Sequence, residues 1–355
     1  MNNHTWLLLL LANIANGYKI VLFVLDVSNS QVMFNKRVAE TLADRGHSVT
    51  MVLMQAMDDR AGNDIEFKEN VKLYRVNGSI GVSRQELEEQ QASIIFEDYS
   101  MFDRRVWKSM QQGMRIIEGS CRNIISNREF ITWLQKEHFD LAFIHVYQAC
   151  PIGLVRVGRI PTWIWLNSSP LVDHVAQRIG VPTIPSYVPP LAMESTDSMN
   201  FYERTKSLIG HVMTSLVWDR FVASPETELF REFIDPTFPN LIDLAKECPL
   251  VMVNSNELYE LPRPSLAKVI NIGGLDMQMQ QSRLLPTEIS TLAAEAEGII
   301  IFSFGSIAPI QRMPKTWKIA FFKAFSLFPE IHFFARYTGD DANGQLLSYF
   351  LRKVN

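Results

Sequence analysis

Between Asp26 and Arg45, where the chain leaves its first apolar run, there is not one glycine. Dinucleotide and P-loop sites need glycines at that turn so the backbone can approach a phosphate, so both readings lose their basis. HExxH and GxSxG are also missing, which removes the common zinc-protease and α/β-hydrolase readings. Cysteine is scarce: Cys121, Cys150 and Cys248 are widely spaced and unpatterned. They define neither a disulfide framework nor a metal site, leaving buried thiols with at most one bridge. Positive charge is not in surplus. The formal net charge is −4, and no long basic run exists, which argues against nucleic acid as a partner. No apolar run after the first seventeen residues reaches the roughly eighteen of a membrane helix.

What is present is an ordinary globular balance. The chain has 355 residues, 47% of them hydrophobic, enough apolar material for two domains. Residues 1–17 read as a signal peptide, with an apolar core at Trp6–Ala12 followed by the small residues Ala15 and Gly17. Its first residues lack Lys and Arg, and a buried first strand is the other reading. Beyond residues 1–17, which hold Asn3-His4-Thr5, two acceptor triplets for N-linked sugar, Asn77-Gly78-Ser79 and Asn167-Ser168-Ser169, fit a lumenal chain. Asn167 follows the apolar run PTWIWL, where a glycan fits poorly.

From Tyr18 the pattern is α/β. YKIVLFVL is a continuous apolar run, as in a parallel strand covered on both faces. Phe34, Val38 and Leu42 then recur at helical spacing, with Gly46 placed to end the helix in the left-handed conformation, and HSVTMVLM is the next strand. Strand, helix and strand in about thirty residues make a right-handed crossover. Residues from about Gln85 to Arg128 read as helical, with Phe96, Met101, Phe102, Trp107 and Met110 as a core stripe or the wall of an apolar pocket. FDLAFIHV, RIPTWIWLN, PLVMVNSN and KVINIGG read as further strands, and Ser198–Phe233 as helical. GVPTIPSYVPPL is too rich in proline for helix or central strand. Asp276–Pro286 reads as a linker. A new unit opens at GIIIFSFGS, continues in a helix over Pro314–Leu327 and closes at IHFFARY.

These segments together resemble the UDP-glycosyltransferases of the glucuronosyltransferase type, most of all their nematode branch. The resemblance runs from Tyr18 to Asp341. It rests on VAETLADRGHSVT, PSYVPPL with DSMNFYER, VNSNELYELPRPSLAKVINIGG, and GIIIFSFGSIAP with MPKTWKIAFFKAFSLFPEIHFFARY, in that order and spacing. The implied fold is α/β and GT-B-like. It comprises a complete N-terminal Rossmann-like acceptor domain over 18–280 and a linker with the first strand–helix–strand unit of a truncated UDP-sugar-binding domain over 281–355. The implied reaction transfers a hexosyl group from a UDP-sugar, UDP-glucuronate or UDP-glucose, to a lipophilic small-molecule acceptor with inversion and without metal. The family also implies the endoplasmic reticulum lumen, membrane association and homo- or hetero-oligomers with related transferases. This chain shows no C-terminal membrane helix.

The family's base is a histidine after the first strand, oriented by an acid after a later one, because imidazole titrates near neutrality and a carboxylate stabilises its charged form. Here the base position is Gln31, which cannot take a proton, and the acid position is His145. Two readings stand: an exchange in which His145 is the base and Gln31 orients the acceptor, or a relaxed site in which His145 only packs. In SFGSIAP, Ser303, Gly305 and Ser306 correspond to the loop that opens the donor domain. Gly305 lets the backbone near a phosphate and Ser306 can donate to it; a plain strand-to-helix turn is the other reading. The rest of the donor signature does not follow, since GDDANGQLLSYFLRKVN leaves the pattern, so this chain is expected to bind the donor poorly and to be incomplete for catalysis by itself. A lone unit of this kind should expose the apolar residues Ile299–Phe304 and Ile331–Phe334. The alternative function is a non-catalytic, acceptor-binding isoform that pairs with full-length relatives and dampens them. Asp173 beside His174 reads as a loop network, and His138, His211 and His332 show no partner. The region Gln85–Arg128 is expected to set acceptor choice.

Overall fold

The computed structural model describes residues 17–59, 65–83, 85–86, 95–96, 103–191, 193–275, 285, 287–305, 308, 310–337 and 352–353. The signal-peptide expectation for residues 1–17 therefore lies almost wholly outside the described residues. The chain forms two compact units, residues 1–81 with 113–279 and residues 82–112 with 280–355.

The first unit is built on a parallel sheet. Its strands are β1 (Lys19–Asp26), β2 (Ser48–Gln55), β3 (Val71–Asn77), β4 (Leu141–His145), β5 (Trp163–Asn167), β6 (Leu250–Val253) and β7 (Val269–Asn271). They lie in the order β3-β2-β1-β4-β5-β6-β7, and every pairing is parallel. Val21, Leu22, Phe23 and Val24 of β1 are fully buried. Burying a side chain of that size is worth about 1.5–3 kcal/mol, so this strand anchors the core. The strand runs read from the sequence all form, and β3 is an addition. Its VKLYRVN is mostly exposed between a buried Val71 and a buried Val76, as an edge strand permits, and it carries no continuous apolar signal.

Helix α1 (Asn29–Asp44) ends as its sequence requires. Gly46 has φ +90°; its N–H donates to Ala43 O and the His47 N–H to Leu42 O, the double closure of a Schellman turn. Helices α2 (Arg104–Ser126) and α3 (Arg128–Glu137) follow. The expected core stripe is not observed as drawn. Phe96 is buried, Trp107 is 43% exposed, and Met101 and Phe102 lie outside the described residues. The buried face of α2 is instead Ile116, Ser120, Cys121, Ile124 and Ile125, nearer its C-terminal end. Helix α4 (Cys150–Val157) is held at its start from two sides. Cys150 is bridged to Cys121, and the Glu226 carboxyl oxygen Oε2 accepts the Ala149 N–H at 2.8 Å. Glu226 belongs to α7 (Ser224–Phe233).

Gly153 of α4 faces the ring of Phe230. A Cβ there would lie 2.3–2.7 Å from three ring atoms, and Phe230 is itself fully buried. Alanine usually stabilises a helix over glycine by about 1 kcal/mol. Here Gly153→Ala is expected to lower stability by about 1–3 kcal/mol through overpacking, read as a lower urea midpoint. A raised midpoint would show that the ring gives way.

Helices α5 (Asp173–Ile179), α6 (Phe201–Trp218) and α8 (Leu241–Lys246) complete this unit. A capping box between Asn200 and Glu203 starts α6. Its buried face is partly polar, Ser207, His211 and Trp218, whereas Leu208, Ile209, Val212 and Leu216 are exposed. His211 donates from Nε2 to Val188 O at 2.8 Å, with its Nδ1 3.4 Å from Asp173. Asp173 also accepts the Leu191 N–H, so its partner is His211 and not the adjacent His174.

The second unit contains α9 (Thr287–Glu295), β8 (Gly298–Phe302), α10 (Lys315–Phe325), β9 (Ile331–Ala335) and the two-residue β10 (Arg352–Lys353). The strands pair in parallel in the order β10-β9-β8, one strand more than the single expected crossover. Ile299, Ile300 and Ile301 of β8 are 47%, 45% and 78% exposed, as expected of a sheet covered on one face. Ile331–Phe334 are only half-exposed, because Phe325 of α10 stacks on Phe333.

Candidate functional site

In a parallel sheet, ligands bind beyond the carboxyl ends of the strands, where the strand order reverses direction. In this sheet that point lies between β1 and β4, which pair with Phe23 opposite Ile144. Gln31, in the first turn of α1, and His145, the last residue of β4, lie where the two chain segments diverge. They share this sheet edge, but no hydrogen bond joins their side chains among the described residues.

On the β1 side, Asp26 and Ser28 are buried. Ser28 occupies the N-cap position of α1 without bonding its amides, and its hydroxyl lies 3.2 Å from Ser30 Oγ. Gln31, in the first turn, is half-buried, and its carbonyl accepts from the buried Asn35 side chain at 2.8 Å. That bond fixes the turn and leaves the Gln31 amide to act as a hydrogen-bond donor or acceptor.

On the β4 side, His145 is 3% exposed. Its Nε2 shares a hydrogen bond with Ser168 Oγ at 3.1 Å, its ring stacks on Tyr147 at 4.6 Å between centroids, and Nδ1 has no hydrogen-bond partner among the described residues. Burial lowers its pKa to about 4, because water can no longer solvate the imidazolium. His145 is thus neutral at pH 7 and a weak proton acceptor, since an effective base titrates near the working pH. Ser168 is held in turn by the Asn254 side chain, whose Nδ2 donates to its carbonyl at 3.3 Å. Gln148, 1% exposed, completes the loop.

His174 donates from Nε2 to Val146 O at 3.1 Å and stacks on Trp218, fixing the same loop from behind. Burial holds its pKa at about 4 as well. Reading the sequence did not single out Asp26, Gln148 or Glu226. Asp26 had a usable signal, being the first polar residue after an apolar strand. Gln148 and Glu226 had none, because their burial follows from distant packing.

Beyond β5 and β6, an open hollow of about 280 Å³ is lined by residues including Pro170, Leu171, Val188, Leu191, Tyr259 and Arg263. Its wall combines apolar side chains with the charged Asp173, Glu260 and Arg263. No cluster of three or more His, Cys, Asp or Glu side chains able to hold a metal occurs among the described residues, and none of their helices is long and apolar enough to cross a membrane.

In the second unit, the turn after β8 places Ser303 and Gly305 together. The Gly305 N–H donates to Ser303 Oγ at 3.2 Å. Gly305 has φ +80° with open space where a Cβ would be, a backbone that side-chain-bearing residues avoid. Ser306 lies outside the described residues. A left-handed glycine with open space allows a ligand to approach the main chain and equally suits an ordinary turn.

The family model described as UDP-glucoronosyl and UDP-glucosyl transferase matches residues 20–344. The relative ugt-50 of Caenorhabditis elegans is 25% identical over 337 residues, covering 92% of this chain and 62% of that protein. Mouse UDP-glucuronosyltransferase 1A7 is 22% identical over 345 residues, covering 94% and 61%. The chain thus spans about three fifths of the length of these curated relatives. Among solved structures, Os79 from O. sativa, in complex with U2F and trichothecene, shares the fold with a TM-score of 0.52 at 11% identity, covering 95% of this chain and 72% of that one. Phytolacca americana UGT2, complexed with UDP-2fluoro-glucose and pterostilbene, gives 0.50 at 10% identity, covering 96% and 72%.

Proposed function

Because the chain belongs to the UDP-glucoronosyl and UDP-glucosyl transferase family and has its α/β, GT-B-like fold, we propose that it transfers a hexosyl group from a UDP-sugar to a lipophilic small-molecule hydroxyl, with inversion. The observation that carries this reading is the family match running through both units, over residues 20–344. In it, residues 18–280 are the acceptor-binding domain. The loops after β1, β4 and β5 face the reacting groups, and the hollow beside Leu171 receives part of the acceptor. Residues 281–355 begin the donor-binding domain, where Ser303, Gly305 and Ser306 approach the diphosphate through main-chain amides and hydroxyls without a metal. Gln31 holds the acceptor hydroxyl by a hydrogen bond. His145 stays neutral and positions Ser168 and the loop around it. The Cys121–Cys150 bridge supports a lumenal, oxidising location, in keeping with a leader at residues 1–17 and with membrane association of the family.

The test is incubation of the chain, carried to the full length of its relatives, with UDP-glucuronate or UDP-glucose and a phenolic acceptor, followed by mass detection of the conjugate. A conjugate carrying one hexosyl unit is expected. A second reading is favoured by Gln31 at the base position together with a buried, neutral His145. In that reading the chain binds lipophiles or pairs with full-length relatives without catalysis. Lipophile binding or co-purification with such a relative, with neither UDP affinity nor a conjugate, would select it.

In a chain carried to the full length of its relatives, Gln31→His is expected to raise the transfer rate about tenfold, the effect of about 1.4 kcal/mol in the barrier. An unchanged rate would count against Gln31 occupying the base position.

A further inference from the structure

The two Asn-X-Ser triplets stand in opposite surroundings. Asn77 ends β3 and is exposed. Its Oδ1 accepts the Ser79 N–H at 2.9 Å, closing an Asx turn, and its Nδ2 makes no hydrogen bond to any described residue. The Ser79 hydroxyl donates to Asp58 at 2.6 Å, and the Asn123 side chain donates to Ser79 O at 2.7 Å. Gly78 lets this turn lie close against α2, where a Cβ would stand 2.6 Å from Ser120 Oγ. The turn is therefore fixed to the fold, yet its Asn amide nitrogen is available.

Asn167 is the reverse case. It is fully buried at the end of β5. Its Nδ2 donates to Pro170 O at 2.6 Å, and its Oδ1 accepts the Ser169 hydroxyl at 3.0 Å and the Ser169 N–H at 3.3 Å. A sugar on that nitrogen would displace the bond to Pro170 and has no space in the native packing. A third observation is independent of both triplets. The Cys121–Cys150 bridge is of a kind that persists in oxidising compartments, where N-linked sugar is added.

We propose that the folded chain carries one N-linked glycan, on Asn77, and none on Asn167. The donor is a lipid diphosphate-linked oligosaccharide. A bond forms between Asn77 Nδ2 and the anomeric carbon as the bond from that carbon to the diphosphate oxygen breaks. The lipid diphosphate leaves with the electron pair, and the amide releases one proton to solvent. This modification is made on the chain by other machinery and does not depend on the transfer reaction assigned to the family.

The test expresses the full chain in a eukaryotic secretory cell and measures its mass before and after peptide N-glycosidase, in the soluble fraction that retains the Cys121–Cys150 bridge. Enzyme treatment is expected to remove one glycan from the wild type and from Asn167→Gln, and none from Asn77→Gln. If Asn77→Gln fails to fold, Ser79→Ala removes the same acceptor triplet. Digestion of the wild type in heavy-oxygen water, which marks the released site, needs no variant and is expected to label residue 77 alone. A bridged, soluble wild type without glycan overturns the proposal. So does a label at residue 167, or a mass loss that persists in both Asn77→Gln and Ser79→Ala.

Discussion

Replacing Cys121 and Cys150 together by serine is expected to lower the unfolding free energy by roughly 3–4 kcal/mol, the chain-entropy value for a loop of this length. The two residues are 29 positions apart, and each is fully buried. The bridge ties the last part of α2 to the first turn of α4, so its loss frees a segment that includes α3 and β4. His145 lies on that segment, five residues before Cys150. The variant should therefore show a lower urea midpoint and, in addition, faster proteolysis between α2 and α4. Midpoints that agree with and without the bridge would mean that packing alone holds these helices. Cys248 offers no substitute partner: it is a free, buried thiol whose pKa burial pushes up to about 11.

Stability is expected to be greatest near pH 6.5 and to fall on both sides. Burial lowers the pKa of His145 and of His174 from 6.5 to about 4. As pH falls through that window the unfolded chain takes up protons that the folded chain refuses, so stability is lost toward acid. Glu226 works in the other direction. Burial raises its pKa from 4.5 to about 8, so the folded chain keeps a proton that the unfolded chain releases, and stability is lost as pH rises to 8. Below 6.5 the two histidines outweigh the one carboxyl group. At about 1.4 kcal/mol for each tenfold change in proton affinity, the opposing contributions of the three groups leave a net decline of about 1 kcal/mol by pH 8 and about 3 kcal/mol by pH 4. Urea titrations at pH 4, 6.5 and 8 measure it. Glu226→Gln should remove the alkaline decline, since an amide oxygen can still accept the Ala149 N–H. A wild-type profile flat from 6.5 to 8 would show that Glu226 is not protonated in the fold.

The strands of the first unit were legible because parallel strands covered on both faces leave continuous apolar runs, as in Ile20–Leu25. β3 was not, since Lys72 and Arg75, exposed on opposite faces of this edge strand, break its run. The turn at Gly46 was legible from local chemistry. The bridge was not, because Cys121 and Cys150, 29 residues apart, meet only once the chain has folded. For the candidate site, the positions of Gln31 and His145 came from resemblance, and their shared sheet edge follows from the strand order. The state of His145 was invisible in sequence: its neutrality depends on burial by Tyr147, Ser168 and the neighbouring strand. Trp107 shows the limit of periodicity, since an aromatic residue at helical spacing can remain half in solvent.

The strand order also bears on how the chain is made. β1 lies inside the sheet between β2 and β4, and it pairs with β2 early, but its other edge waits for β4. The roughly 90 residues between the end of β2 and the end of β4 take roughly 5–20 s to synthesise at ordinary ribosomal rates. For that interval the nascent β3-β2-β1 sheet presents an apolar, unpaired edge along Ile20–Leu25, the kind of edge on which chains aggregate. A ribosome stalled shortly after Asn77 should therefore expose a chaperone-binding segment that one stalled well past His145 has closed.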